Sequence, residues 1–320
     1  MSTDSLALHA ELRRVLAQAA LAASAEDLDL AALWLVQAEL LGLPEFGIRM
    51  LARDLDRLDG VSVSAPVAPV TPIGSLDATG VPGVVALATA VRAASEGVRN
   101  HGVAIIGLRG VGALGILGTA LRTLAASGAV ALAAAQSRPF VAPWGATGAA
   151  VGTNPLAIAT PRADGPPLVL DYATSPLTLA AVREAAQRGD TLPPGTAADA
   201  SGAPTLVPSE VAALLPDSLT GSLTGLLVEV LAGAATGGRR PDAVDGARGA
   251  IIIAFDPARA GGGDAPASAA RLAADWTAAG GHLPARFDAL PTTVDGLPAT
   301  VDTDPQALAW LRTRAEGRTT

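Results

Sequence analysis

The sequence predicts a mixed α/β fold. Three observations carry this expectation. From Val81 to Phe255, apolar runs of strand length alternate with stretches of helical periodicity, glycine-rich or Asn-Pro turns separate them, and half of the 320 residues are apolar. A chain of this size has room for two lobes that share a sizeable core. Only 3% of its residues are aromatic, so that core must be built from Ala, Val and Leu. Small side chains bury little area each, and stability then depends on close backbone packing.

Residues 4–23 and 26–42 carry Leu and Ala at helical spacing, with Ser24 or Glu26–Asp27 placed to meet the free N–H groups at the second start. A short third helix is expected from Glu45 to Leu58, ending at Asp59–Gly60. The Pro-rich segment Ser64–Gly74 is the candidate crossing between lobes. Val103–Leu108 and Ala129–Ala135 read as strands around a glycine-rich turn and a helix. Strands Leu156–Thr160 and Leu168–Asp171 follow, then a helix through Ala180–Arg188 and a buried helix at Leu223–Gly233. Gly249–Phe255 is a strong strand. Pro266 suits the first turn of a helix over Pro266–Ala279, where its missing N–H costs nothing. A Trp-containing helix closes the chain.

Composition excludes several kinds of chemistry. There is no Cys, hence no disulfide, thiolate nucleophile or thiolate metal site. Three scattered histidines (His9, His101, His282) do not make a zinc site, and no metal is expected. Every basic residue is Arg, which removes Schiff-base and general-base lysines. A net charge of −8 argues against nucleic acid, whose phosphates select basic surfaces. The N-terminus has no signal-peptide pattern and no apolar run reaches membrane-spanning length, so a cytoplasmic protein is expected.

Gly110-Val-Gly112-Ala-Leu-Gly115 matches G-x-G-x-x-G between a strand and a helix. One reading is a Rossmann pyrophosphate turn, in which case Arg138 at the end of the next strand favours a 2′-phosphate. The other is a chance match in a glycine-rich chain.

A longer series of motifs resembles the malate/L-lactate dehydrogenase family of non-Rossmann reductases. It comprises LGLPEFGIRML (Leu41–Leu51), LRGVGALGI, APWG (Ala142–Gly145), GTNP (Gly152–Pro155), DYATS (Asp171–Ser175), LPPG (Leu192–Gly195), GAPT (Gly202–Thr205), LLVEVLAG (Leu226–Gly233) and FDPA (Phe255–Ala258). The resemblance implies a largely antiparallel central sheet flanked by helices. A helical lobe (1–70 plus 265–320) would join a central cofactor-type domain (71–264). It also implies NADH or NADPH, a small anionic organic substrate, and a homodimer whose neighbouring subunit borders the active site.

The departures from the family pattern bear on chemistry. Its active-site histidines fall on Phe46 and Gly110, its substrate-holding Arg on Met50, and its cofactor Lys on Thr220. Reduction of a ketone needs a proton donor within hydrogen-bond reach of the developing alkoxide. Phe and Gly supply none, so ordinary keto reduction is not expected. A cyclic imino acid, which enters already protonated, suits the site better than a 2-oxo acid.

The candidate catalytic residues are Glu45, Arg49, Arg109, Asp171 and Tyr172. Glu45 is either an acid–base group in apolar surroundings or an exposed helix-start residue. Arg49 and Arg109 are either anion clamps or solvated arginines. Tyr172, the only Tyr, is a phenolic acid or a satisfied hydroxyl. Gly152, Thr153, Asn154, Thr174 and Ser175 are the candidate cofactor-binding residues, with a plain tight turn as the ordinary alternative for GTNP. His101 and Trp144 are read as structural. Two further functions stay open: a cofactor-independent cyclase, lyase or isomerase that reuses the pocket, and a catalytically inert paralogue.

Overall fold

A computed structural model describes residues 1–20, 23–59, 61, 71–239 and 248–317. Its elements run β1 (Ser2–Asp4), α1 (Ser5–Ala19), α2 (Ala25–Leu40), a 3-10 turn (Pro44–Phe46), α3 (Ile48–Arg57), β2 (Ile73–Asp77), α4 (Gly83–His101), β3 (Val103–Val111), α5 (Leu117–Ala126) and β4 (Val130–Ala135). They continue with β5 (Pro155–Thr160), β6 (Leu168–Ala173), α6 (Leu179–Arg188), β7 (Ala197–Ala198), β8 (Ala213–Leu214), α7 (Leu219–Val228) and a π-helical turn (Glu229–Ala234). Last come β9 (Arg248–Phe255), α8 (Ala265–Ala278), β10 (Thr300–Asp302) and α9 (Pro305–Ala315). The fold is mixed α/β, with a six-stranded sheet ordered β2-β3-β9-β4-β5-β6. Most of the expected crossing segment Ser64–Gly74 lies outside the described residues.

The chain separates into two compact units. Unit 1 holds Met1–Ala133, Ala157–Leu170 and Ile252–Thr320; unit 2 holds Ala134–Leu156 and Asp171–Ile251. In unit 1, β1 pairs antiparallel with β10, which ties the two ends of the chain together, and β2 pairs parallel with β3.

Small side chains set the packing of unit 1, as the composition requires. Gly97 of α4 lies so close to β3 that an added Cβ would sit 2.8 Å from the Ala104 Cβ. Helix and strand therefore meet almost backbone to backbone. The buried carboxylate of Asp27 joins α2 to α4: it accepts from Arg92 Nε at 2.8 Å, Arg92 Nη2 at 2.9 Å and Thr89 Oγ1 at 2.9 Å. Ser24 caps α2 by accepting from Asp27 N at 3.1 Å. Unit 2 has its own smaller core, in which Val141, Val182, Ala185, Leu192, Ala197 and Leu214 pack together.

The Rossmann reading of Gly110–Gly115 fails on two counts. In a βαβ unit of that kind, the strands flanking the helix are neighbours; here β9 lies between β3 and β4. The glycines are also filled by protein. A Cβ on Gly110 (φ +69°) would collide with Thr79 Oγ1, and one on Gly112 with the Asp54 carboxylate. Asp54 accepts from Gly83 N at 2.7 Å and Ala113 N at 3.1 Å, so these amides serve packing. The helix expected at Leu223–Gly233 also differs: it starts at Leu219, becomes π-helical at Glu229, and leaves Leu219, Leu223, Leu226, Leu227 and Val230 about half exposed. A continuous apolar run has the same appearance in a core and on a covered face, which is why periodicity did not separate them.

Candidate functional site

Glu45 lies in the 3-10 turn, and here the structure corrects the expectation of an acid among apolar neighbours. It is buried, and its carboxylate is held by Arg49 at 3.3 Å and Arg53 at 3.0 Å. Arg49 reaches onward to Asp304 at 2.8 Å. Burial tends to raise the Asp304 carboxyl, but the Ala307 N–H and the Arg49 guanidinium outweigh it and hold the group below its ordinary value. Glu45 and Arg49 are thus brought together, in an ion-pair network that joins α3 to the start of α9.

Sequence reasoning overlooked Glu39. It is buried at the end of α2 and accepts from Ile48 N at 2.8 Å, so it caps α3 from outside. A Cβ on Gly47 would collide with this carboxylate, hence glycine there. Burial is the main influence on Glu39 and raises its pKa, against the Ile48 N–H and Arg49, which lower it. The signal was present in LAALWLVQAEL: a carboxylate at the end of an apolar run.

Phe46 is half-buried. Met50 is buried, and its thioether methyl stands 3.5 Å from where a Cβ on Gly115 would be. Apolar atoms therefore occupy the place where the family resemblance puts an anion-holding Arg. Arg109 belongs to neither group; it pairs with Asp77 across β2 and β3 at 3.1 Å, with both side chains about half exposed. His101 is exposed at the end of α4, His9 Nε2 donates to Asp29 O at 3.1 Å, and no metal-holding cluster occurs among the described residues.

In unit 2 the cofactor candidates form one connected structure. Asn154 is fully buried and left-handed at φ 35°. Its Oδ1 accepts from Ser137 N at 2.9 Å; its Nδ2 donates to Gly225 O at 3.1 Å and Glu229 Oε1 at 2.9 Å. The side chain is fully engaged inside the protein. Thr153 Oγ1 lies 3.2 Å from Ser137 Oγ, while Thr153 O accepts from both the N–H and the hydroxyl of Thr174, at 3.0 and 3.3 Å. A Cβ on Gly152 would collide with Ser137. The turn thus holds Thr174 in place. Ser175, next along the chain, is 7% exposed and its Oγ has no hydrogen-bond partner among the described residues. A buried hydroxyl left in this state is an offer to a ligand.

Asp171 is half-buried in β6 and Tyr172 half exposed, on opposite faces by strand alternation. Trp144 is 52% exposed and is no packing anchor. It borders a cavity of about 460 Å³ lined also by Val151, Leu223, Leu226, Glu229 and Arg239.

The chain has counterparts among known sequences and solved structures. A sequence profile of the malate/L-lactate dehydrogenase family matches residues 5–285, and the chain belongs to that family. It is similar to the Delta(1)-pyrroline-2-carboxylate/Delta(1)-piperideine-2-carboxylate reductase of Pseudomonas syringae pv. tomato, 36% identical over 190 residues. That match covers 55% of this chain and 55% of the relative, so the chain spans a little over half the relative's length in sequence. The (2R)-3-sulfolactate dehydrogenase (NADP(+)) of Chromohalobacter salexigens is 31% identical over 240 residues, 70% of this chain and 72% of that protein. Among solved structures, the delta1-piperideine-2-carboxylate reductase of P. syringae pv. tomato superposes with a TM-score of 0.82 at 28% identity, over 98% of this chain and 99% of the other. No helix among the described residues is long and apolar enough to cross a membrane.

Proposed function

We propose that this protein is a cytoplasmic NAD(P)H-dependent reductase of a small cyclic imino acid, with 2-oxo acids as poor substrates. The observation that carries this reading is the intact Gly152–Asn154 turn, which holds Thr174 beside the unpartnered, buried Ser175 hydroxyl. That orphaned donor fits the polar edge of a nicotinamide ring, with Thr174 and Ser175 as the holding residues. The phosphate end is less well provided: Thr220 stands at the start of α7 where the resemblance puts a Lys, and half-exposed Arg239 is paired with Glu229. A bound reduced nicotinamide supplies a hydride. The chain itself need only bind, orient and exclude water, because a protonated imine brings its own proton.

Loss of the proton donor selects the substrate. Phe46 has no exchangeable proton, and Gly110 has no side chain and no room for one. The half-exposed leucines of α7 support a homodimer, since a stripe of that kind on a soluble protein marks a contact surface.

The test is titration of NADH and NADPH followed by nucleotide fluorescence, then turnover of Δ1-piperideine-2-carboxylate against pyruvate. We expect saturable binding of one nucleotide, and a kcat/KM for the imine at least about 100-fold above that for the ketone, the usual worth of a general acid. Binding without imine turnover would favour an inert holder. No binding at millimolar nucleotide would remove the redox reading.

A further inference from the structure

We propose that Glu229 is the positioning residue of the dinucleotide pocket, acting through Asn154 on Thr174 and Ser175; the assignment of a pocket there rests on the reductase reading above. Glu229 is 3% exposed and opens the π-helical turn. Its two oxygens meet four donors. Oε1 faces Asn154 Nδ2 at 2.9 Å and Gly152 N at 3.4 Å; Oε2 faces Gln136 Nε2 at 2.9 Å and Arg239 Nη1 at 2.7 Å. A buried carboxylate is unfavourable unless its lone pairs are met, and a leucine would fill the same place in an apolar helix without that demand. The role of the charge therefore lies in what it holds.

It holds Asn154. That residue sits at positive φ, which Asn tolerates better than other side chains, and three neighbouring segments hold it there. Glu229 accepts directly from the Asn154 side chain and anchors Gly152 two residues earlier. With the turn fixed, Thr153 O meets Thr174 and places Ser175. The π turn is in turn fixed from β9. A Cβ on Gly249 would collide with Ala232 O, and Gln136 Oε1 accepts from Gly249 N at 3.2 Å. An interrupted helix of this kind frequently marks a functional site. The line from Glu229 to Ser175 lies wholly within unit 2.

The test compares full-length Glu229→Gln, Glu229→Leu and the swap Glu229→Gln with Gln136→Glu. The single Gln variant points an amide donor at two existing donors, Gln136 Nε2 and Arg239. The swap reverses donor and acceptor across the same 2.9 Å bond, keeps an acceptor for Gly249 N and leaves half-exposed Arg239 to water. Thermal melting establishes that each variant is folded at the assay temperature. Nucleotide Kd and amide exchange at residues 152–154 and 174 are then read well below melting. We expect the single variants to weaken nucleotide binding roughly tenfold or more and to raise exchange at the turn. The swap should return both readouts to within about threefold of wild type. Folded single variants with wild-type Kd would overturn the proposal. If wild type itself binds neither NADH nor NADPH, the reductase reading falls separately, and unchanged exchange at residues 152–154 in Glu229→Leu, which removes both acceptor oxygens, overturns the positioning role.

Discussion

Gly110 and Phe46 both stand where relatives of this fold are expected to carry a working side chain, yet the structure treats them differently. Phe46 is half-buried beside Gly47, and an imidazole is no larger than its ring. Gly110 combines φ +69° with Thr79 Oγ1 in the space of its absent Cβ. Phe46→His should therefore fold with stability within about 1 kcal/mol of wild type, whereas Gly110→His should lose roughly 2–3 kcal/mol in denaturant unfolding. Glu39 gives a pH-dependent prediction. Because burial raises its pKa in the folded state, its contribution to stability is present below the unfolded value and lost as pH rises through the folded one. Glu39→Gln keeps an acceptor for Ile48 N and should be more stable than wild type near pH 8, with the difference shrinking toward pH 4. A constant difference across that range would show that the carboxyl is not penalised by burial. Glu45→Ala should cost about 1–2 kcal/mol, since it removes the buried carboxylate between two guanidiniums, of which Arg49 keeps Asp304 and Arg53 keeps the backbone carbonyl of residue 45.

At the scale of elements, strands and helix starts were legible because they are local. Val103–Leu108, Leu168–Asp171 and Gly249–Phe255 are apolar runs bounded by turn residues, and each lies within a strand of the sheet. Ser24 caps α2, one of the two alternatives its position allowed. What failed was anything decided by a distant partner. The sequence shows glycines at 110, 112 and 115, but not that Asp54 and Thr79 fill the space they leave. Likewise, Glu229 was visible only as one letter within an apolar motif; its four donors come from three other segments. The π turn gives a prediction at this scale. Gly249→Ala drives a methyl into the Ala232 carbonyl and should destabilise by about 1–3 kcal/mol, as overpacking of backbone does. Gly237→Ala, in open space but at φ +72°, isolates the backbone-strain component.

For the whole molecule, the sheet order separates this architecture from the dinucleotide fold that its glycine motif imitates. Strand β9, more than a hundred residues downstream, inserts between β3 and β4. No local pattern announces such an insertion; the ordered series of motifs pointed only to a sheet that is not Rossmann-type. The same scale governs assembly. Leu219, Leu223, Leu226, Leu227 and Val230 form an apolar stripe on the outside of unit 2. Leu223→Glu with Leu227→Glu should halve the mass seen by light scattering if that stripe is the contact between copies. An unchanged mass would place the contact elsewhere.

Asn154 carries one further consequence, for the protein's lifetime. Asparagine ages by attack of the following residue's backbone nitrogen on its side-chain amide, which closes a succinimide and leaves aspartate. Here the following residue is Pro155, whose ring nitrogen carries no hydrogen and cannot complete that closure. The hub of the turn is therefore shielded from succinimide-mediated deamidation by its neighbour, and prolonged storage should produce no isoaspartate at this position.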